Sequence, residues 1–149
     1  MNQGKLQQFD TPLDIYNRPA NRFVAEFVGS PSMNFFDGRF DATTGMFAGD
    51  GLTLNLQHEV PAITSERVTL GIRPEHIQVS ATEQVDWPAA AVYVTEQMGS
   101  ETLVFLQIKD RKVIARASGD FRAEPESKVW IQFDTAKAHF FDPSTGLRV

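Results

Sequence analysis

Cysteine is absent from the 149-residue chain. Disulfides, thiol nucleophiles and thiolate metal sites are thereby excluded, and the composition fits a reducing compartment. Positive charge is scarce as well: 14 Lys and Arg stand against 19 Asp and Glu, a net charge of −5. A chain of that sign does not attract a phosphate backbone through its overall field, and no basic run exceeds a pair such as Arg111–Lys112. Nucleic acid is therefore not an expected partner. Tyrosine is rare, 2 residues against 12 Phe, which suits the dry inside of a β-structure better than a wet recognition surface. No apolar stretch approaches the ~18–20 residues of a membrane span, and residues 1–10 are polar, without a hydrophobic signal core.

Nucleotide chemistry is missing too. A phosphate-cradling loop needs a Gly-rich turn that ends in Gly-Lys-Ser/Thr. The single Gly-Lys pair here, Gly4–Lys5, runs into Leu6 and has too little chain before it to form the loop. No apolar strand ends in Asp-Glu to hold Mg²⁺ and polarise a water. The three histidines, His58, His76 and His139, lie far apart without the close spacing of a metal site. His76 reads as a turn or surface residue, and His139 as a packed one. Ser100 sits in a Gly99–Ser100 turn rather than in the Gly-x-Ser-x-Gly context of a nucleophile. No catalytic, cofactor-binding or metal-ligating residue is assigned, and the chain is not expected to be an enzyme.

What is present begins with a short helical lead-in. Thr11 is a good N-cap, Pro12 suits the first helical position, and Asp14 completes a capping box. Arg18–Pro19 stops that helix, and Pro19 is placed to open a second one. Its apolar face would carry the i, i+4 pairs Phe23/Phe27 and Val24/Val28, and Gly29 and Ser30–Pro31 end it.

From Met33 onward the period changes to two. Leu52, Leu54 and Leu56 alternate with polar residues; so do Val68, Leu70 and Ile72, then Ile77 and Val79, Val104, Leu106 and Ile108, and Val129, Ile131 and Phe133. Such alternation predicts half-buried strands. Turn chemistry is expected at Asp37–Gly38, Thr44–Gly45, 49–51, Gly99–Ser100, Lys109–Asp110 and 118–120. Many short strands with frequent turns imply a mainly β, small antiparallel barrel, closed or partly closed, behind the helical lead-in.

Residues 70–76, Leu-Gly-Ile-Arg-Pro-Glu-His, carry the most information about a site. A strand runs into Arg73, and Pro74 removes a backbone donor and fixes a bend. Arg73 and Glu75 flank that bend and are placed to pair, either as an exposed ion pair at a strand exit or at an interface or ligand pocket. Glu96 and Glu101 flank the Gly99 turn, as strand-end polar residues, as partners for an arginine or as a carboxylate pair.

Three stretches together resemble one family: residues 4–35 (from Gly-Lys-Leu-Gln-Gln-Phe-Asp-Thr-Pro to Ser-Met-Asn-Phe), residues 70–76, and residues 96–102 (Glu-Gln-Met-Gly-Ser-Glu-Thr), with Phe-Asp-Pro-Ser-Thr-Gly at 141–146. They resemble the C-terminal region of the ATP-binding subunits of carbohydrate-type ABC importers, the group of the maltose and glycerol-3-phosphate importers. The resemblance implies that residues 1–32 are the helical end of a nucleotide-binding domain and a linker. It implies that 33–149 form an OB-fold-like, transport-associated regulatory domain. The ATPase motifs would lie before residue 1, so ATP and Mg²⁺ belong to the parent subunit and no cofactor to this stretch.

Its implied partners are a second copy of itself in a homodimer, the parent's nucleotide-binding domain, the importer's membrane subunits indirectly, and a regulatory protein. Its implied location is the cytoplasm, peripheral at the inner face of the plasma membrane. Arg73, Pro74, Glu75, Glu96, Gly99 and Glu101 are the positions expected to shape the domain's fold or interface. An alternative role is sensing of a small ligand, an oxyanion or a sugar.

Overall fold

Two five-stranded antiparallel sheets share one hydrophobic core in the computed structural model, which describes residues 2–56 and 66–149. Two short helices lead in, α1 (Pro12–Asn17) and α2 (Arg22–Phe27). The first sheet takes strands from early in the chain and from its end. Its members are β1 (Asn34–Asp41), β2 (Met46–Gly49), β3 (Leu52–Asn55), β4 (Arg67–Ile72) and β10 (His139–Phe141), in the order β10-β4-β1-β2-β3. The second sheet is contiguous in sequence. It contains β5 (Ile77–Ser80), β6 (Ala89–Gln97), β7 (Glu101–Ile108), β8 (Arg111–Ser118) and β9 (Lys128–Phe133), in the order β5-β9-β6-β7-β8. Its outer strands β5 and β8 come back beside each other without a hydrogen-bonded ladder, so the sheet curls into a partly closed barrel. One 3₁₀ turn, Pro74–His76, carries the chain from the first sheet to the second, and another, Thr135–Lys137, carries it back to β10.

The helix starts follow their local chemistry, with one shift. Thr11 caps α1, its hydroxyl accepting from the Asp14 N–H and donating to the Asp14 carboxylate at 2.6 Å. The second helix opens later than Pro19. Asn21 is its N-cap, and Asn21 Oδ1 accepts from the Val24 N–H at 2.9 Å. A side chain that satisfies a free N–H outweighs a ring that only presets φ.

The alternating strands hold in the second sheet, where Val104, Leu106 and Ile108 point inward from β7 and Val129, Ile131 and Phe133 from β9. In the first sheet the pattern breaks. Asn34, Phe35 and Phe36 are all buried, as are residues 68–72 and the whole of β10. The cause is a second covering layer. One face meets the other sheet, with Phe36 edge-on to Phe133 at 5.8 Å. The other face meets the lead-in, where Ala25 packs with Met33, Phe35 and Phe141. Main-chain bonds from Arg22 N–H to Gly146 O and from Arg148 N–H to Ala20 O tie the C-terminal tail over the same face.

Asp37–Gly38 is not a turn; it lies inside β1. A Cβ on Gly38 would come 2.5 Å from Ala48 O, and one on Gly49 would come 2.2 Å from Asp37 O. These glycines let β1 and β2 cross closely rather than reverse the chain. Turns form at the other expected places, among them the β2–β3 hairpin, with Asp50 and Gly51 both at positive φ.

One polar side chain stitches the sheets together. Asn34 Nδ2 donates to Ile114 O at 2.8 Å and to Ile72 O at 3.3 Å, while its Oδ1 accepts from the Ile114 N–H at 2.9 Å.

Urea denaturation checks the packing. Phe36→Ala is expected to lose about 3–5 kcal/mol, whereas Phe27→Ala, with a side chain 80% exposed, should change stability by less than about 0.5 kcal/mol.

Candidate functional site

The site is built around Arg73, at the exit of β4. Its residue is 1% exposed, and no carboxylate pairs with it among the described residues. Nη1 donates to Val28 O at 2.8 Å and Nη2 to Tyr16 O at 3.0 Å, and the guanidinium carbon lies 3.9 Å above the Tyr16 ring. A buried cation is costly unless polar groups receive it. Here two helix-end carbonyls and an aromatic face do so, and burial pushes its pKa down from the ordinary arginine value. The arginine thus grips the ends of both lead-in helices. Gly29 makes room for it: φ there is +104°, and a Cβ would sit 2.9 Å from Arg73 Nη1.

The expected Arg73–Glu75 pair does not form. Pro74, buried, starts the 3₁₀ turn and sends Glu75 away from Arg73 toward Arg116 on β8. Arg116 lies 3.9 Å from Glu75 and 3.3 Å from Glu101, and its Nη2 donates to Ser30 O at 3.0 Å. Two guanidiniums, Arg73 and Arg116, therefore hold the linker at Val28 and Ser30, one from each sheet.

The six positions singled out from sequence fall into two groups. Arg73 holds the linker at Val28, Glu75 and Glu101 reach it through Arg116, and Pro74 is the buried bend between Arg73 and Glu75. Glu96 and Gly99 lie apart, exposed on the β6–β7 hairpin. Gly99 has φ +82° in the two-residue turn closed by Met98 N–H to Glu101 O at 2.8 Å. A bulge between Val92 and Val94 turns both Tyr93 and Val94 outward on β6, so Val94, Glu96 and Met98 share one exposed face. Arg116 and Asn34 were not foreseen. Their partners lie up to 86 and 80 residues away in the chain, and no local pattern marks them.

Beside the Arg73 grip, a polar hollow of about 630 Å³ separates α1 from the 3₁₀ turns and β10. His76 and His139 line it. His139 is packed, as expected, with its ring near Phe141; burial first, and then the charges of Arg148 and Arg73, push its pKa down to about 4. His58 lies outside the described residues. No group of three or more His, Cys, Asp or Glu is placed to hold a metal among the described residues, and no helix there is long and apolar enough to cross a membrane.

This architecture is that of a known class. Residues 29–77 match the family model of the MalK OB fold domain, and residues 70–141 that of the TOBE domain. The two matches overlap where β4 and the Arg73 bend pass from the first sheet to the second. The chain belongs to the family of MalK-type OB-fold and TOBE domains found in ABC importer ATP-binding proteins, not to their ATPase domains.

It is 40% identical, over its whole length, to the uncharacterized ABC transporter ATP-binding protein y4oS of Sinorhizobium fredii, covering 40% of that protein. It is 39% identical over 95% of its length to the multiple sugar-binding transport ATP-binding protein MsmK of Streptococcus mutans, covering 40% of that one. It is 36% identical over its whole length to the sn-glycerol-3-phosphate import ATP-binding protein UgpC of Salmonella typhimurium, covering 42%. The chain thus spans about two-fifths of the length of these curated relatives. Among solved structures, the cytoplasmic molybdate-binding protein ModG, with molybdate bound, aligns with a TM-score of 0.56 at 9% identity, over 74% of this chain and 96% of that one. At that identity the likeness concerns the fold alone.

The buried histidine sets a pH dependence. His139 titrates near 6.5 when unfolded and near 4 when folded, so between these values the unfolded chain binds more protons. Stability should fall as pH is lowered from 6.5 towards 4. His139→Gln should flatten that part of the curve, as read from thermal midpoints across the pH series.

Proposed function

We propose that this region is a non-catalytic regulatory and dimerisation module of an ABC importer ATP-binding subunit that serves uptake of a sugar or sugar-phosphate-like solute. The parent subunit binds and hydrolyses ATP with Mg²⁺. The module works in the cytoplasm, peripheral at the inner face of the plasma membrane, and reaches the membrane subunits only through the ATPase.

The observation that supports this reading is the double clamp. Arg73 and Arg116 fasten the lead-in to both sheets, so a displacement of the lead-in moves the body with it. The lead-in also presents Leu6, Phe9, Leu13 and Phe27 to solvent, Phe9 at 90% exposure. In this reading the nucleotide-binding domain covers them, since apolar groups of that size gain by leaving water. The exposed face formed by Val94 and Glu96 of β6 and by Met98 of the turn that follows is the contact offered to a second copy. A standing contact of that kind keeps two ATPase subunits at high effective concentration while their catalytic domains open and close. A regulatory protein that prefers one arrangement then biases the cycle by the difference in its two affinities.

Sedimentation over a concentration series tests the reading. The chain should dimerise with a thermal midpoint that rises with concentration, and Val94→Asp with Met98→Asp should shift it to monomer, remove that concentration dependence and leave its circular dichroism spectrum unchanged. A strict monomer at the highest concentration contradicts the dimerisation role, and ATP hydrolysis above a mock preparation contradicts the non-catalytic one.

A further inference from the structure

We propose that Arg116 is a positioning residue that couples the β6–β7 turn to the linker, so that a constraint on Glu101 tightens the hold of Arg116 on Ser30 O. The link itself belongs to the single chain. Its trigger, a second copy seated on the turn, rests on the pairing role of the proposed function.

Residues 30–35 lie beside β8, the last strand of its sheet, and three β8 residues hold them. Arg116 Nη2 donates to Ser30 O at 3.0 Å. Ile114 exchanges two hydrogen bonds with the Asn34 side chain, and Arg111 Nε donates to Phe35 O at 3.0 Å. The two arginines also each reach a hairpin turn. Arg111 Nη2 lies 3.4 Å from Asp50 in the β2–β3 turn, and Arg116 Nε lies 3.3 Å from Glu101, which closes the β6–β7 turn. Each guanidinium thus joins one linker carbonyl to one turn carboxylate.

The two joints differ in how firmly the carboxylate is held. Asp50 Oδ2 also accepts from the Asp37 N–H at 2.8 Å, and its side chain is 31% exposed. The Glu101 side chain is 47% exposed. Arg116 Nε lies near it but makes no directed hydrogen bond among the described residues. Charge and proximity alone hold that contact, and displacing water beside it raises the attraction between the two charges. The main chain of Glu101 is fixed instead to the exposed face, since its carbonyl accepts from the Met98 N–H at 2.8 Å. One residue therefore touches the offered contact through its backbone and the linker's arginine through its side chain.

Two arrangements of the joint follow. With Glu101 turned to Arg116, the guanidinium is fixed where it reaches Ser30 O. With Glu101 turned to solvent, the remaining carboxylate is Glu75, 3.9 Å away on the 3₁₀ turn, and the guanidinium is free to follow it away from the linker. A second copy seated on Val94, Glu96 and Met98 shields the turn from water and favours the first arrangement. By linkage, a docked linker favours the pair by the same factor. Partly exposed ion contacts contribute little, so the factor is small, about two- to fivefold.

The test is a double-mutant cycle on the 149-residue chain at the lowest workable concentration, with Glu101→Gln, Arg116→Gln and both together. NMR reads the carbonyl ¹³C shift of Ser30 and the exchange protection of the Val28 amide, the last hydrogen bond of the lead-in before Ser30. Glu101→Gln should move the Ser30 shift and lower Val28 protection by about two- to fivefold, with the amides of β9 unchanged. Arg116→Gln should do at least as much, and the double variant no more than Arg116→Gln alone. High salt should bring the parent to the level of Glu101→Gln and leave that variant where it was. A Ser30 shift and Val28 protection untouched by Glu101→Gln, or effects that add in the double variant, would overturn the coupling. Raising the concentration tests the pairing role separately. Dimer formation should increase Val28 protection in the parent but not in Arg116→Gln. A chain that stays monomeric contradicts the pairing role, and the single-chain cycle still decides the coupling.

Discussion

The buried guanidinium of Arg73 is the constraint on which the rest of the structure turns. It stands where β4, the strand paired with both β1 and β10, gives out and the chain leaves for the second sheet. A cation held at 1% exposure with no carboxylate among the described residues beside it requires other polar groups around it. The carbonyls of Tyr16 and Val28 are the ends of the two lead-in helices, so satisfying the charge and docking the lead-in are one event. Several further features follow. The first sheet is covered on both faces at β10, β4 and the start of β1, and Gly29 must lack a Cβ.

Much of this was legible in the sequence. Period-two alternation marked β7 and β9, and Asp50–Gly51 and Gly99–Ser100 marked hairpins, because these signals depend only on neighbouring residues. The capping box at Thr11 and the C′ glycine at position 29 were equally local. The failures share the opposite property. Asp37–Gly38 carries turn composition, yet its glycine answers to the crossing of β1 over β2. Arg73 and Glu75 are two residues apart, which made them look like a pair, but Pro74 and the 3₁₀ turn send them to different partners. Arg116 and Asn34 act across distances in the chain that no short window spans. The match to the importer family was visible in residues 4–35 and 70–76, but the exchange of partners at the bend was not.

A module tied together in this way is suited to transmit displacement rather than to perform chemistry. The second sheet is a contiguous, partly closed barrel, and the first takes β10 as an edge strand beside β4. The lead-in sits on the first sheet through Ala25 and on the second through Arg116 and Ser30. Under the proposed function, coupling between an ATPase and a second copy of the module passes through these few contacts, and whatever biases the lead-in biases the pair.

Hydrogen exchange, followed residue by residue on the parent chain and on Arg73→Met, tests most directly whether one arginine holds lead-in and body together. The amides of Ile15, Arg18, Ala25 and Val28 report the lead-in, since each donates within it. Their protection should drop by about tenfold or more, while amides of β6, β7 and β9 keep theirs. Unchanged protection at those four amides, or an equal loss through both sheets, would contradict the account.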